Sequence, residues 1–231
     1  MCVCIVAQLI CVFFCISVML IAEPLSEVEI YFSADATGIS NKYGNKRWQL
    51  IRHTKEEMKK TREYSKLHII SGTKTNIIAS AEITTGNMHE SPLFKPLLKD
   101  VAKIFTIKEL SADAGYLSKD NVNAISKIGA QPFIMPKRNV NVPMKGRISA
   151  WSGMLRLWKE NQMIFAEHYH RRSNVESTFS SLKRKFGDFT RSKLETSQRN
   201  DILSKIVCFN TVTLAEAILE NNLETGFLKS L

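Results

Sequence analysis

Apolar and polar residues alternate, or apolar residues run together, over several short segments of the first 135 residues. These segments are rich in β-branched and aromatic residues and are bounded by Gly, Pro, Asn or Asp, which is typical of strands. The predicted strands cover residues 28–34, 66–71, 76–84, 107–112 and 131–135. The stretch from Gly72 to Asn76 is predicted to join the second and third strands as a hairpin.

Helical spacing of apolar residues follows the third strand and occupies the last third of the chain. Ser91 and Pro92 supply a cap and a first-turn proline for a helix near 91–104. Further helices are predicted near 118–128, 150–163, 168–187 and 198–220. Strands and helices alternate between residues 107 and 135, which favours parallel pairing. The sequence therefore predicts an α/β fold with a mixed sheet flanked by helices and a helical C-terminal part.

The predicted helix at 168–187 carries a ring hydroxyl, a carboxylate and two cations on one side. At 100° per residue, these four side chains fall within an arc of about 60°. They are Tyr169, Arg172, Glu176 and Lys183. The adjoining stripe is apolar and consists of Val175, Phe179, Leu182 and Phe186. Any one of the four, taken alone, also fits a solvated ion pair or the edge of a core, but together they indicate a functional face beside the core face.

Two aspartates lie upstream, each after a short apolar run. Asp35 follows a predicted strand and opens the turn-like sequence Asp-Ala-Thr-Gly. Asp113 closes the strand predicted at 107–112 and precedes Ala-Gly-Tyr. A single Asp at a strand end is most often a turn or helix cap. The two aspartates therefore gain functional meaning only together with the helix that carries Glu176.

The spacing Y-x2-R-x3-E-x6-K, which ends on Glu176 and Lys183, resembles the signature of a large group of insertion-sequence DDE transposases. Asp35-Ala-Thr-Gly is similar to the first-strand Asp-Ser-Thr-Gly of that family, with Ala in place of Ser. Ala-Asp113-Ala-Gly-Tyr is similar to the family's Ala-Asp-x-Gly-Tyr. The three acidic residues therefore occur in the family order, each in a matching context.

Two further segments match the same family. Lys66-Leu-His68 is similar to its Lys-Leu-His strand start, and Thr84–Ser91 to its Thr-x-Gly-x-x-His-Asp-Ser segment, with Glu90 where Asp is common. The resemblance extends from about Val28 to about Glu220. It implies a ribonuclease-H-like mixed sheet flanked by helices. The interval from Asp113 to Glu176 is too short for the large β-rich insertion that some relatives carry there.

The resemblance implies a specific metal chemistry for the three carboxylates. Two Mg²⁺ ions about 3.5–4 Å apart assist in-line phosphoryl transfer by activating the attacking oxygen and stabilising the leaving one. Hard cations of this kind prefer carboxylate oxygens. Asp35, Asp113 and Glu176 are accordingly the predicted catalytic residues and ligands of two Mg²⁺ ions, for which Mn²⁺ can substitute.

The net charge of the chain is consistent with a DNA partner. The formal net charge is +10 over 231 residues and the sequence pI is about 9.4, which favours a polyanionic partner. Arg172 and Lys183 lie on the side of the helix that carries Glu176, so they are predicted to hold phosphates of double-stranded DNA. Tyr169 is predicted to contact DNA too, by stacking on a base or by a hydrogen bond to a phosphate. Transposases of this kind generally act as homodimers on paired ends.

The first 22 residues contain no charged side chain and are long enough to span a bilayer. One interpretation is a membrane anchor that leaves the basic remainder in the cytoplasm. The other is a translated remnant ahead of a truncated element copy, because relatives usually carry a longer region before the first Asp. The predicted domains are this apolar segment at 1–24, the catalytic domain at 25–222 and a tail at 223–231.

Cysteine placement adds little to the prediction. Four cysteines lie in the apolar segment without a nearby His, so a zinc site there is disfavoured. Cys208 is the single cysteine of the predicted catalytic domain, which is consistent with the reducing cytoplasm. The predicted function is metal-dependent cleavage and strand transfer of insertion-sequence ends. The alternatives are a decayed copy that binds DNA without catalysis and a membrane-anchored, non-enzymatic protein.

Overall fold

A computed structural model of the protein describes residues 14, 17–41, 64–86, 88–137, 139–142, 148–192 and 194–221. Its strands are β1 (Tyr31–Asn41), β2 (Tyr64–Gly72), β3 (Ile78–Thr85), β4 (Glu109–Ala112), β5 (Gln131–Ile134) and β6 (Phe189–Thr190). Its α-helices are α1 (Phe94–Val101), α2 (Lys119–Lys127), α3 (Ala150–Glu160), α4 (Gln162–Tyr169), α5 (Ser173–Phe186) and α6 (Glu195–Asn221). Short 3₁₀ turns occur at Glu23–Leu25, Ser91–Leu93, Ala114–Tyr116 and His170–Arg172.

The strands form one mixed sheet in the order β3-β2-β1-β4-β5, with β6 paired to the end of β1. β2 pairs antiparallel with both β1 and β3, whereas β4 and β5 continue the sheet in parallel from β1. The hairpin between β2 and β3 and the parallel pairing after residue 107 are thus confirmed, as is the ribonuclease-H-like arrangement of a mixed sheet flanked by helices. β6 is an addition that the sequence did not predict.

Alternation along β1 divides its side chains between two cores. Phe32 and Ala34 belong to the core that lies under α1, α2 and α3, whereas Ile39 belongs to the core under α5 and α6. Because successive strand residues face opposite sides of a sheet, Asp35 and Thr37 lie on the same face as Ile39. This alternation directs the polar side chains of β1 towards α5.

The strand that carries Asp35 is longer than predicted. The prediction that Asp35 ends the strand in a turn is wrong, because β1 continues to Asn41 and pairs with β2 throughout, Asp35 opposite Ile69 and Gly38 opposite Lys66. A Cβ at Gly38 would lie 3.2 Å from the ring of Tyr64. Glycine therefore serves close side-chain packing here rather than a turn.

The helical part differs from the prediction at two places. The helix predicted at 150–163 ends at Glu160, because Asn161 has non-helical backbone angles (φ −132°, ψ 64°) and α4 begins after it. The helix predicted at 168–187 is divided between α4 and α5 by the His170–Arg172 turn. The backbone stays in the right-handed helical region at Tyr169, Arg172 and Ser173, so the turn tightens the chain without reversing it.

Part of the apolar N-terminal segment packs on the sheet. Residues 17–22 are helical, and Val18 is buried in the core under α5 while Ala22 and Leu25 are buried in the other core. The remainder of residues 1–16, apart from Phe14, lies outside the described residues, as does the tail at 223–231. One described helix, Glu195–Glu220, is long and apolar enough to cross a membrane by length and composition alone. Its residues Ile202 and Ile206 are fully buried in the core.

Candidate active site

Asp35 and Arg172 form the centre of the site. Arg172 Nη1 donates to Asp35 Oδ2 over 2.7 Å, and the Ala36 backbone N–H donates to Asp35 Oδ1 over 2.8 Å. The two side chains are only 16% (Asp35) and 20% (Arg172) exposed. A carboxylate this shielded from water needs a partner charge. Arg172 supplies that charge from the turn before α5.

Glu176, one helical turn after Arg172, pairs with the same guanidinium. Arg172 Nη2 donates to Glu176 Oε1 over 2.8 Å, and the Glu176 side chain is 60% exposed. Burial alone would lower the pKa of Arg172, but Tyr169, Asp35, Asp113 and Glu176 outweigh it and raise that pKa. One guanidinium therefore bridges a shielded carboxylate on the sheet and an exposed carboxylate on α5.

Asp113 reaches the site from the neighbouring strand. β4 runs parallel to β1 with Ala112 opposite Ala34, so the next residues, Asp113 and Asp35, are adjacent across the sheet. Asp113 also caps the 3₁₀ turn that follows β4, accepting from the Ala114 N–H over 2.7 Å. Burial raises the pKa of Asp35, and the charge of Asp113 raises it further against the opposing effects of Ala36 and Arg172.

Lys183 contacts the same strand two residues beyond Asp35. Its Nζ donates to Thr37 Oγ1 over 2.6 Å. Thr37 and Asp35 share a face of β1, so Lys183 lies beside the carboxylate cluster, one residue pair further along the strand. Thr37 was not among the predicted site residues, although it belongs to the Asp-Ala-Thr-Gly motif.

Tyr169 borders the site at the end of α4. Its ring stacks on Phe165 with centroids 6.1 Å apart, and the Arg172 guanidinium lies 5.9 Å from the ring centroid. Burial raises the pKa of the Tyr169 hydroxyl. The prediction that Tyr169 lies on the same α-helix as Glu176 is wrong, because the 3₁₀ turn intervenes. The turn nevertheless keeps Tyr169 next to Arg172.

Long-range contacts fix the turn that carries Arg172. Ser33 Oγ donates to the Arg171 carbonyl over 3.1 Å and is hydrogen-bonded to Ser111 over 2.9 Å. Glu109 pairs with both His168 and Arg171, and the His168 ring stacks on Phe133. Strands β1 and β4 therefore hold the turn in place, so the position of Arg172 depends on the sheet.

A fourth carboxylate approaches the site from the opposite face of the sheet. Glu90 lies before α1, pairs with Lys66 over 2.7 Å and raises the pKa of Asp35 through its charge. The sequence placed Glu90 in a family motif but indicated no role for it. Its approach to Gly115, two residues after Asp113, depends on how α1 packs, which no local pattern reveals.

The donor set fits a hard divalent cation. Asp35, Asp113 and Glu176 offer only oxygen atoms, which Mg²⁺ prefers, and the guanidinium of Arg172 lies between two of them as a stand-in cation. No three Asp, Glu, His or Cys side chains in the described part of the chain are arranged to hold an ion directly. Arg172 instead separates Asp35 from Glu176. Metal ligation by these residues would therefore require Arg172 to move.

Comparison with known proteins identifies the family. The family model described as Transposase DDE domain matches residues 31–211, which spans the sheet and all three carboxylates. Comparison with curated protein sequences gives no significant match. The matched range covers most of the chain, from β1 into α6, and the chain belongs to the transposase DDE domain family.

Proposed function

We propose that the protein is a metal-dependent DNA transposase that cleaves the ends of an insertion sequence and joins them to a target. The observation that carries this proposal is the pairing of Arg172 with both Asp35 and Glu176, beside the end of the parallel strand that leads to Asp113. Asp35 lies on β1, Asp113 follows the parallel strand β4, and Glu176 lies on α5, which packs on the same sheet. Membership of the transposase DDE domain family supports the same function.

Asp35, Asp113 and Glu176 are the residues that would hold two Mg²⁺ ions. When bound, such ions activate the attacking oxygen and stabilise the leaving oxygen of an in-line phosphoryl transfer. Burial and the neighbouring carboxylates raise the pKa of Asp35, which means that its ionised form lacks full compensation from Arg172. An added cation at this carboxylate would supply the missing compensation.

Three side chains near these carboxylates are suited to DNA. Lys183 presents an ammonium group beside β1, and the ring of Tyr169 is half-buried at the edge of the site. Arg172 can exchange its carboxylate partners for a phosphate, because a guanidinium binds phosphate oxygens in the same two-pronged manner. Arg184 adds an exposed cation one residue beyond Lys183. These cations would contact the phosphate backbone of double-stranded DNA.

The remaining assignments follow from this function. The catalytic domain is residues 25–222, acting as a homodimer on paired ends in the cytoplasm. The described residues at 17–25 add buried side chains to its two cores. The alternative of a membrane anchor concerns residues 1–22, most of which lie outside the described part of the chain.

The test is strand transfer with a DNA duplex that carries the element's own ends. Asp35→Asn, Asp113→Asn and Glu176→Gln should each abolish Mg²⁺-dependent joining while retaining salt-sensitive DNA binding. Glu216→Gln is the matched control, because Glu216 pairs with Lys185 on the surface. Joining that survives in any of the three carboxamide variants would refute the metal assignment. DNA binding with no joining by the wild type would favour a decayed copy.

A further inference from the structure

Glu90 and Lys66 form a shielded ion pair at the edge of the site, on the sheet face opposite α5. Their side chains are 21% (Glu90) and 19% (Lys66) exposed, and the Lys66 Nζ to Glu90 Oε1 distance is 2.7 Å. Lys66 lies on β2 opposite Gly38 of β1. The pair therefore lies beside the strand of Asp35 and the loop of Asp113, across the sheet from the pair of Arg172 and Glu176.

The Glu90 carboxylate packs against the loop that begins with Asp113. Glu90 Oε1 contacts Lys66, whereas Oε2 occupies the space that a Cβ at residue 115 would fill. Gly115 lies in the 3₁₀ turn that Asp113 caps. The absence of a side chain at Gly115 thus lets the carboxylate of Glu90 rest directly against the turn that positions Asp113.

Tyr116 provides independent support for a ligand-binding position next to Glu90 and Asp113. The side chain is fully buried, its ring packs against Phe94 with centroids 5.7 Å apart, and its hydroxyl has no hydrogen-bond partner among the described residues. Burial raises the pKa of this hydroxyl, and the charges of Glu90, Asp35 and Asp113 raise it further. The phenol therefore keeps its proton and lies near three carboxylates without bonding to any of them.

A buried hydroxyl without a partner is unfavourable, because no hydrogen bond offsets the loss of its hydration. Mg²⁺ and similar ions keep several water ligands, and the O–H groups of these waters donate hydrogen bonds to nearby oxygen atoms. A hydrated ion at Asp113 would give Tyr116 a partner and would place positive charge next to the Glu90 carboxylate. Such outer partners of a metal site tune its affinity strongly.

We infer that Glu90 is a fourth acidic residue of the metal site, acting beside Asp113, and that Lys66 is the cation that neutralises it in the metal-free protein. This inference rests on the proposed function, since it assumes that Asp113 binds a divalent cation. The rival explanation is a structural ion pair that only supports the Asp113 loop. The two explanations differ in what the loss of Lys66 does to metal affinity.

The experiment titrates Mn²⁺ alone into the full chain without DNA and measures free Mn²⁺ by electron paramagnetic resonance. Glu90→Gln should raise the Kd for Mn²⁺ about tenfold, in the range found for outer partners of metal ligands. Lys66→Gln should lower the Kd, because it removes a competing positive charge. Asp120→Asn, which removes a surface carboxylate paired with Lys95, should leave the Kd unchanged.

Gly115→Ala tests the position of the carboxylate while Glu90 itself stays intact. The added methyl group would displace the flexible end of Glu90, so the Kd should rise as in Glu90→Gln. Thermal unfolding without metal identifies any variant that fails to fold. A wild-type Kd in both Glu90→Gln and Gly115→Ala would overturn the inference, as would Kd changes of the same sign in Glu90→Gln and Lys66→Gln.

Asp113→Asn separates failure of this inference from failure of the proposed function. If Asp113→Asn weakens Mn²⁺ binding and Glu90→Gln does not, the role of Glu90 is refuted and the metal assignment stands. If Asp113→Asn binds Mn²⁺ like the wild type, the metal assignment itself is refuted and the inference falls with it.

Discussion

Arg172 pairs with Asp35 over 2.7 Å across 137 positions of sequence, and the same guanidinium holds Glu176 at 2.8 Å. Two of the three candidate carboxylates thus share one cation of the chain itself. A divalent cation and Arg172 would compete for the same oxygen atoms. Several measurable consequences depend on this competition and on the contacts that hold the site together.

Replacing Arg172 by Gln should strengthen Mn²⁺ binding and weaken strand transfer. Coulomb's law gives about 4 kcal/mol between unit charges 4 Å apart at an effective dielectric constant of about 20. Solvent near the exposed Glu176 reduces this value, so we expect roughly a tenfold lower Kd, or ~1.4 kcal/mol. Equilibrium titration with Mn²⁺ measures it, with Lys95→Gln as a surface control. An unchanged Kd would contradict competition between Arg172 and the metal.

Replacing Lys183 by Gln should weaken DNA binding and reduce its dependence on salt concentration. Loss of one phosphate contact reduces the slope of log K against log salt concentration by about one. Thr37→Val removes the hydroxyl that accepts from Lys183 Nζ but keeps the cation. The slope should therefore persist in Thr37→Val and fall in Lys183→Gln. Equal slopes in both variants would exclude a phosphate contact by Lys183.

Lowering the pH should destabilise the fold, because protonation of the buried His68 is unfavourable. This side chain is fully buried, its Nε2 is hydrogen-bonded to Thr84, and its Nδ1 has no partner among the described residues. Burial, helped by the charge of Lys66, lowers the pKa of His68 from 6.5 to about 4. Between these values the unfolded chain binds the proton more tightly, so stability falls as pH decreases from 6.5 towards 4.

The size of this effect is on the order of 3 kcal/mol, because each tenfold change in proton affinity corresponds to about 1.36 kcal/mol. Denaturant unfolding of the wild type and His68→Gln at pH 7 and pH 4.5 measures it. The wild type should lose more stability than His68→Gln over this interval. Parallel losses in the two proteins would mean that His68 does not drive the acid sensitivity.

Replacing Glu29 by Gln should destabilise the hairpin that supports α5. Glu29 is fully buried and accepts hydrogen bonds from three backbone N–H groups at 73–75 and from the Thr75 hydroxyl. Asn174 in turn donates to the Thr73 carbonyl over 2.7 Å, which joins this turn to the helix of Glu176. A Gln amide replaces one acceptor with a donor, so the cost should be about 1–3 kcal/mol.

Chemical denaturation compares this variant with Glu27→Gln, which changes an exposed carboxylate two residues away. Glu27→Gln should unfold at the wild-type denaturant concentration. If Glu29→Gln does the same, the buried hydrogen bonds to the turn contribute nothing to stability.

The sequence predicted the sheet and the acidic residues because those signals are local. Asp35, Asp113 and Glu176 each lie in a short pattern whose period or spacing can be read directly. The Asp-Ala-Thr-Gly segment misled the strand prediction, since Asp and Gly are common in turns. Pairing with β2, which follows more than twenty residues later, overrides that preference and keeps Asp35 inside β1.

Other features depend on contacts that no short pattern contains. The turn at His170–Arg172 is held by Ser33 and Glu109, which lie on different strands. β6 has only two residues and exists because it pairs with the end of β1. The approach of Glu90 to Gly115 likewise follows from tertiary packing. These are the places where sequence reasoning alone could not complete the site.

The most direct test of metal-dependent transposition replaces one proposed metal ligand by a softer one. Cysteine in place of Asp113 offers a thiolate, which suits Mg²⁺ poorly and transition metals better. We expect Asp113→Cys to lose strand transfer in Mg²⁺ by about two orders of magnitude and to recover part of it in Mn²⁺. Wild-type activity of Asp113→Cys in Mg²⁺, or no strand transfer by the wild type in either metal, would contradict the proposed function.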